Sequence, residues 1–284
     1  LRIDIPRETL RIALRNMKVR AGIAVLASLL LLALLGPHLT PYSPLEYTGE
    51  PSAPPSLRHP LGTNMFGYDV FSQTVHGLRL SLLVGLIGGA LATAVGVVIG
   101  FAAGYAGGLV DEALMVLTNI LLVIPTLALL IVIAAYLPYR GVAVEGVIIG
   151  LTAWPWTARA IRAQTLALRQ RDFVLVARMS GETPLEVVLG EIAPNMFSYI
   201  FMVFILQFGG AILNAVGLDF IGLGPTRGVS LGIILQQAVL WNAIQLGLWW
   251  WAIPPGFIIA LLLTSLYVVN TGLDEVFNPR LRGG

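Results

Sequence analysis

The stretch SLLVGLIGGALATAVGVVIGFAA, residues 81–103, decides the fold class. It contains no charged or amide side chain and exceeds the ~20 residues a helix needs to cross the hydrocarbon core of a bilayer. A helix that is apolar all round has no face to give to water. Residues 21–36, 113–136, 142–161, 192–216 and 250–269 read in the same way, the 142–161 block less cleanly, which makes six candidate spans. The chain is 57% hydrophobic and 11% charged, against roughly a quarter charged in an ordinary soluble domain. These blocks define an all-α integral membrane protein with six transmembrane helices, rather than one or two soluble domains.

The first block is short, but Lys18 and Arg20 can lay their stems along the helix and keep their charges at the interface. It is read as a span and not as a cleaved signal, because a long basic stretch precedes it and no small-x-small cleavage site follows. Basic residues are retained on the cytoplasmic side. With the N-terminus inside, Arg2, Arg7, Arg11, Arg15, Lys18, Arg20, Arg159, Arg162, Arg169, Arg171, Arg178, Arg280 and Arg282 are cytoplasmic, and only Arg58, Arg79, Arg140 and Arg227 fall outside. The expected organisation is a cytoplasmic segment 1–20, a first span 21–37 and an extracytoplasmic loop 38–80. A five-helix core 81–270 follows, with a cytoplasmic loop 163–194 and an external loop 217–249, and then a cytoplasmic tail 271–284. Both termini of this multi-pass chain lie on the cytoplasmic side of the cell membrane. Residues 230–248 are apolar but carry Gln236, Gln237, Asn242 and Gln245, whose amides need partners in lipid. They are therefore read as a helix at the outer surface, with Trp241 and Trp249, Trp250 and Trp251 as an interfacial belt.

Several functions are excluded. The small net charge of +2 gives no support to nucleic-acid binding, and the absence of cysteine removes disulfides and thiolate metal sites. A nucleotide-binding P-loop needs a lysine within GxxxxGK[ST]; the one lysine, Lys18, has no such surroundings. Ion-coupled carriers place ionisable groups inside their spans. Residues 81–110, 113–138, 192–218 and 228–273 have none, and Asp111, Glu112, Glu145 and Asp219 lie at span ends. Neutral oxygens can still bind sodium, so a secondary carrier stays as the alternative of another class, and a membrane scaffold as a third. His38, His59 and His76 match no compact metal motif and read as loop histidines. Asp69 and Arg79 read as a structural ion pair or cap, and Pro125 and Pro155 as helix kinks.

Between the fourth and fifth blocks runs ARAIRAQTLALRQRDFVLVARMSGETPLEVVLGEIAPNM, a helix, a turn and a second helix. Phe173, Val174, Val176 and Ala177 share a face of the first helix, and Gly181 suits the left-handed closing residue. Thr183 caps the second helix, Pro184 fits its first position, Glu186 completes a capping box, and Pro194 ends it. A docking knob for another protein and a connecting hairpin are both compatible with this composition. In a docking knob, Ala177 and Gly181 lack bulk to permit close approach.

The order Ala177, Gly181, Ile192, Pro194 resembles the EAA loop of type I ABC importer permeases. The segment HPLGTNMFGYDVFS, continuing through Gly77, Arg79 and Leu82, is similar to the signature of the dipeptide, oligopeptide and nickel permease subfamily. Gly104, Tyr105, Ala106, Gly107 and Gly108 with Asp111 and Met115 resemble its AGYxGGxxDxxxM turn. Residues 219–224 resemble its SFLGLG segment, and Asn278, Pro279 and Arg280 its DPR tail. The resemblance covers the chain from His59 to Arg280 and points to the C-type subunit. Leu175 and Val176 replace the glutamate and first alanine of the EAA motif, and Tyr68 and Asn64 depart from the family's arginine and aspartate.

The resemblance implies a non-enzymatic translocation subunit with no cofactor of its own, ATP and Mg being held by partner chains. Those partners are a homologous second permease, two ATP-binding subunits and an extracytoplasmic solute-binding protein, all assembled at membrane lipid. The ATPase-coupling residues are then Phe173, Val176, Ala177, Gly181, Glu182, Thr183, Pro184, Glu186, Ile192 and Pro194. Gly104, Tyr105, Gly107, Gly108 and Asp111 make the tight turn between spans two and three, or a second cytoplasmic contact. The expected substrate is a di- or oligopeptide, with oligosaccharide or nickel as alternatives within the class.

Overall fold

The computed structural model describes residues 14–277. The basic residues Arg2, Arg7, Arg11, Arg280 and Arg282 and the Asn278, Pro279, Arg280 tail lie outside them. Among the described residues the elements are α1 (Met17–Leu39), α2 (Val70–Ala106), α3 (Gly108–Val123), α4 (Thr126–Tyr136), α5 (Val142–Arg169), α6 (Asp172–Met179), α7 (Pro184–Phe220), α8 (Leu231–Leu240) and α9 (Trp249–Phe277). No strand forms among them; Tyr47 with Tyr68 and Thr63 with Asp69 make isolated bridges.

Four helices, α1, α2, α7 and α9, are long and apolar enough to cross a membrane, and α3 with α4 adds a fifth if that bent pair is one span. The block 142–161 lies in α5, a 28-residue helix whose charged residues Glu145, Arg159, Arg162 and Arg169 make it less apolar. The block 113–136 is not one kinked helix. It divides at Ile124 and Pro125, and the halves meet at 84°. Proline disfavours helical backbone in the residue before it, and Ile124 is extended, with ψ 124°. Pro155, by contrast, lies inside a continuous α5.

α2 is the central rod. It begins eleven residues before the apolar block, because Asp69 caps it through Ser72 N at 2.7 Å and the polar residues of its first turns are buried. The carboxylate of Asp69 also meets Nδ1 of the fully buried His59 at 2.8 Å. The partner of Asp69 is therefore His59, while Arg79 is exposed. Replacing Asp69 with alanine removes the cap and leaves His59 alone in a dry site. The expected cost is about 1–3 kcal/mol, read as a lower unfolding midpoint of the purified protein in detergent; an unchanged midpoint would contradict it.

Along its length α2 packs on α5 through small residues. A Cβ on Gly96 would lie 2.4 Å from Thr157 Cβ, on Gly100 2.7 Å from Ile161 Cβ, and on Gly104 2.7 Å from Thr165 Cβ. From the α5 side, Gly146 and Gly150 meet Ile87 and Leu91 in the same way, with Cβ approaches of 2.8 and 2.7 Å. Small residues four apart let two helix backbones approach closely in a bilayer, where dispersion contact rather than water drives association. α1 lies against α9: Asn16 caps α1 through Lys18 N and Val19 N and donates to Glu275, which also pairs with Lys18.

The reading of residues 230–248 as an outer-surface helix needs correction in its aromatic part. α8 is capped by Ser230 and packs into the core with α9. Trp251 is fully buried, and Trp250 is buried with its N–H donating to Thr63 O at 3.0 Å. Only Trp241 and Trp249 are free to serve as a belt, because the folded loop before α2 covers the other two.

Candidate functional site

The predicted hairpin lies at the end of α2 remote from Asp69. α6 is one amphipathic helix of eight residues. Val174 and Ala177 are buried with Phe101, Ile161, Val187, Val188, Ile192 and Met196, and Phe173 and Tyr105 pack at the margin. The face shared by Phe173, Val174 and Ala177 is thus the one held against the bundle. Val176 departs from the expected face and is 62% exposed, beside the half-exposed Leu175 and with Met179 at 88%.

Gly181, at φ +87°, closes α6. Its N–H donates to Arg178 O at 3.1 Å and Glu182 N–H donates to Ala177 O at 3.3 Å, the paired bonds of a Schellman turn. A Cβ at Gly181 would meet nothing within 4 Å. Thr183 and Glu186 form the capping box that opens α7: Glu186 accepts from Thr183 N at 2.7 Å and Thr183 accepts from Glu186 N at 3.4 Å.

Pro194 does not end that helix. The chain continues as one helix from Pro184 to Phe220, with a π-helical turn over Val187–Ile192 in which Ala193 N–H donates to Val188 O. A proline ring collides with the carbonyl four residues back in a regular α-helix. Widening the turn ahead of Pro194 re-pairs the backbone and carries the hairpin without a joint into a long span.

Along the turn after α6 and the first turns of α7 lies a shallow, open groove bordered by Gly181, Glu182, Leu185, Glu186, Leu189 and Glu191. Leu185 is 68% exposed and Leu189 half exposed. Leu175, Val176 and Met179 on α6, and Leu185 and Leu189 on the first turns of α7, are thus exposed apolar side chains, the latter two beside the carboxylates of Glu182, Glu186 and Glu191. Of the predicted coupling residues, Val176, Gly181, Glu182, Thr183, Pro184 and Glu186 are exposed here, Phe173 and Pro194 are partly covered, and Ala177 and Ile192 face inward.

The glycine turn adjoins this hairpin. Gly107, at φ +69°, ends α2 and starts α3 in one residue. Gly104 is closed off by Thr165, a Cβ on Gly107 would lie 3.0 Å from Nη1 of Arg169, and only Gly108 opens on empty space. Tyr105 takes a hydrogen bond from Arg178 Nε at 3.2 Å. Asp111 holds Arg162 through both carboxylate oxygens, the Nη2 bond being 2.6 Å. The turn is thus joined to α5 and α6.

Sequence reasoning missed Leu175, Met179, Leu185 and Leu189 as members of the exposed surface. It read Leu175 as a lost glutamate and not as part of an exposed apolar face. It also missed the Tyr105–Arg178 contact, which has no signal in local spacing. The glycine spacing of four was there to be read at Gly96, Gly100 and Gly104.

Among the described residues no group of three or more His, Asp or Glu side chains is placed to hold a metal. The family model for the inner membrane component of binding-protein-dependent transport systems matches residues 96–283. The dipeptide transport system permease protein DppC of Bacillus subtilis is 31% identical over 270 residues, 94% of this chain and 83% of that protein. The oligopeptide transport system permease protein OppC of Mycobacterium bovis is 31% identical over 275 residues, covering 94% and 93%. An all-helical membrane bundle, an exposed hairpin continuous with a long span, and this family match agree: the chain belongs to the family of binding-protein-dependent transport system inner membrane components.

Proposed function

We propose that this chain is the permease subunit of an ATP-driven importer of di- and oligopeptides, and that α6 with the first turns of α7 is its docking surface for an ATP-binding partner. As a member of its family the chain is a transport permease and not an enzyme; ATP hydrolysis belongs to other subunits.

The observation that carries the docking reading is the exposed apolar face of α6, Leu175, Val176 and Met179, followed by exposed Leu185 and Leu189, on a short hairpin that runs without interruption into α7. Exposed apolar residues grouped in this way mark an interaction site. The basic residues around it, Arg159, Arg162, Arg169, Arg171 and Arg178, favour the cytoplasmic side, where nucleotide is available, and both termini share that side. The assembly then needs a second permease beside this chain, two ATP-binding subunits below it and a solute-binding protein above it. Peptide as substrate rests on the names of its relatives.

Because the chain has no native cysteine, Met179→Cys gives a single labelling position. A benzophenone attached there is expected to form an adduct with the ATP-binding subunit when the reconstituted complex is illuminated. The same complex is expected to take up peptide only with ATP. Adducts with lipid alone would overturn the docking reading, and ion-gradient-driven uptake by the isolated chain would overturn the importer.

A further inference from the structure

We infer that Tyr105 is a positioning residue that latches the docking helix α6 to the cytoplasmic end of α2, so that displacement of α6 passes directly into the central rod of the bundle. This rests on the reading of α6 as the docking element and adds the route by which its movement leaves the hairpin.

Tyr105 occupies the last turn of α2, two residues before the chain turns back at Gly107. Two guanidinium groups lie over its ring. Arg178, from the last turn of α6, lies 5.0 Å from the ring centroid, and Arg169, the last residue of α5, lies 5.9 Å away. The Tyr105 hydroxyl also accepts from Arg178 Nε at 3.2 Å. An aromatic ring attracts both guanidinium groups, because its π face is negative. One side chain of α2 thus gathers the ends of α5 and α6.

Beside the turns that join it to α5 and α7, α6 rests its apolar underside, Val174 and Ala177, against the bundle. Apolar contact is non-directional, and a helix held by it alone can slide along its bed. The Arg178–Tyr105 hydrogen bond, with the guanidinium over the ring, adds a directional contact. Beyond Tyr105, α2 is locked to α5 by its glycine face and anchored at its other end by Asp69. A pull on α6 therefore reaches α2 and α5 together.

The test is the number of substrate molecules taken up per ATP hydrolysed by the reconstituted complex. Tyr105→Leu is expected to lower this ratio about threefold to tenfold while hydrolysis continues, with Tyr105→Phe, which keeps the ring, within about twofold of wild type. Arg178→Leu should lower the ratio as well, and the double variant should be no worse than Tyr105→Leu alone, since that variant has already lost the Tyr105–Arg178 contact. An unchanged ratio in Tyr105→Leu and Arg178→Leu, or additive losses in the double variant, would overturn the latch. Because Arg178 is exposed, its leucine variant keeps the test available if Tyr105→Leu fails to assemble. The photo-adduct at position 179 separates the two readings. An adduct with an unchanged ratio refutes the latch alone, and no adduct in the otherwise wild-type chain refutes the docking reading and the latch with it.

Discussion

Replacing Gly181 with valine is expected to reduce substrate uptake by the assembled transporter about tenfold or more while leaving the chain in the membrane. The cause is backbone geometry. Gly181 sits at φ +87° with nothing within 4 Å of where a Cβ would stand, so the new side chain meets no part of this chain. It instead opposes the left-handed backbone that the turn requires, at roughly 1–2 kcal/mol for an ordinary residue and more for a β-branched one.

Relief of that strain breaks the bonds from Gly181 N–H to Arg178 O and from Glu182 N–H to Ala177 O. These two bonds set the angle between α6 and the start of α7. The groove, and the placing of Leu185 and Leu189 relative to the apolar face of α6, depend on that angle, so the fraction of molecules presenting an intact docking surface falls. The size series distinguishes strain from collision with a partner. Asparagine tolerates the left-handed region, so a strain mechanism orders uptake as Gly181→Asn above Gly181→Ala above Gly181→Val. A collision mechanism places alanine, the smallest, first. Uptake by Gly181→Val equal to that of the parent protein would remove this turn from the coupling path.

What was legible in the sequence divides along physical lines. Of the six expected spans, apolar blocks found α1, α2, α7 and α9 and the bent pair α3 with α4, because lipid imposes a length and a composition, while the 142–161 block fell in the more charged α5. The capping box at Thr183 and Glu186 and the turn at Gly181 were legible because each depends on residues within a few positions of one another. The start of α2 was not. Ser72, Gln73 and Thr74 look like loop in composition, but they are buried, and the polarity of Asn64, next to Gln73 at 3.3 Å, comes from a loop that folds back.

The π-helical turn at Val187–Ile192 was hidden by its cause, since Pro194 is ordinarily a stop signal. Trp250 and Trp251 were assigned to an interface because tryptophan favours one. Their burial depends on the loop before α2, whose Thr63 carbonyl receives the Trp250 N–H. The proposed docking surface was half legible. The hairpin could be placed from caps and charges, but which apolar residues of α6 faced outward depended on how it rests on Phe101, Ile161 and Ile192. That is tertiary information, and it moved Val176 to the outer face and Ala177 to the inner one.

The glycine face of α2 carries the other large prediction: Gly96→Leu is expected to prevent accumulation of folded protein. The Cβ alone would stand 2.4 Å from Thr157 Cβ, 2.6 Å from its Cγ2 and 2.9 Å from Trp154 O. None of these is the far end of a flexible chain. Thr157 is fully buried and takes the amide of Gln207 at 2.6 Å, so shifting it also breaks a contact to α7. The helices would have to separate, and in a bilayer no hydrophobic drive opposes their separation, because lipid tails solvate the exposed faces as well as leucine does. Overpacking typically costs about 1–3 kcal/mol in cores that can adjust, and this contact, repeated at Gly100 and Gly104, has little room to do so. Gly96→Ala should therefore already lower the unfolding midpoint, and Gly96→Leu should yield aggregate on size-exclusion chromatography in detergent. Gly210→Ala is the control, because nothing lies within 4 Å of its Cβ position, and it should elute and melt like the parent protein. If Gly96→Leu also did so, α2 and α5 would not be in the close contact that links the docking end of the bundle to the Asp69 end.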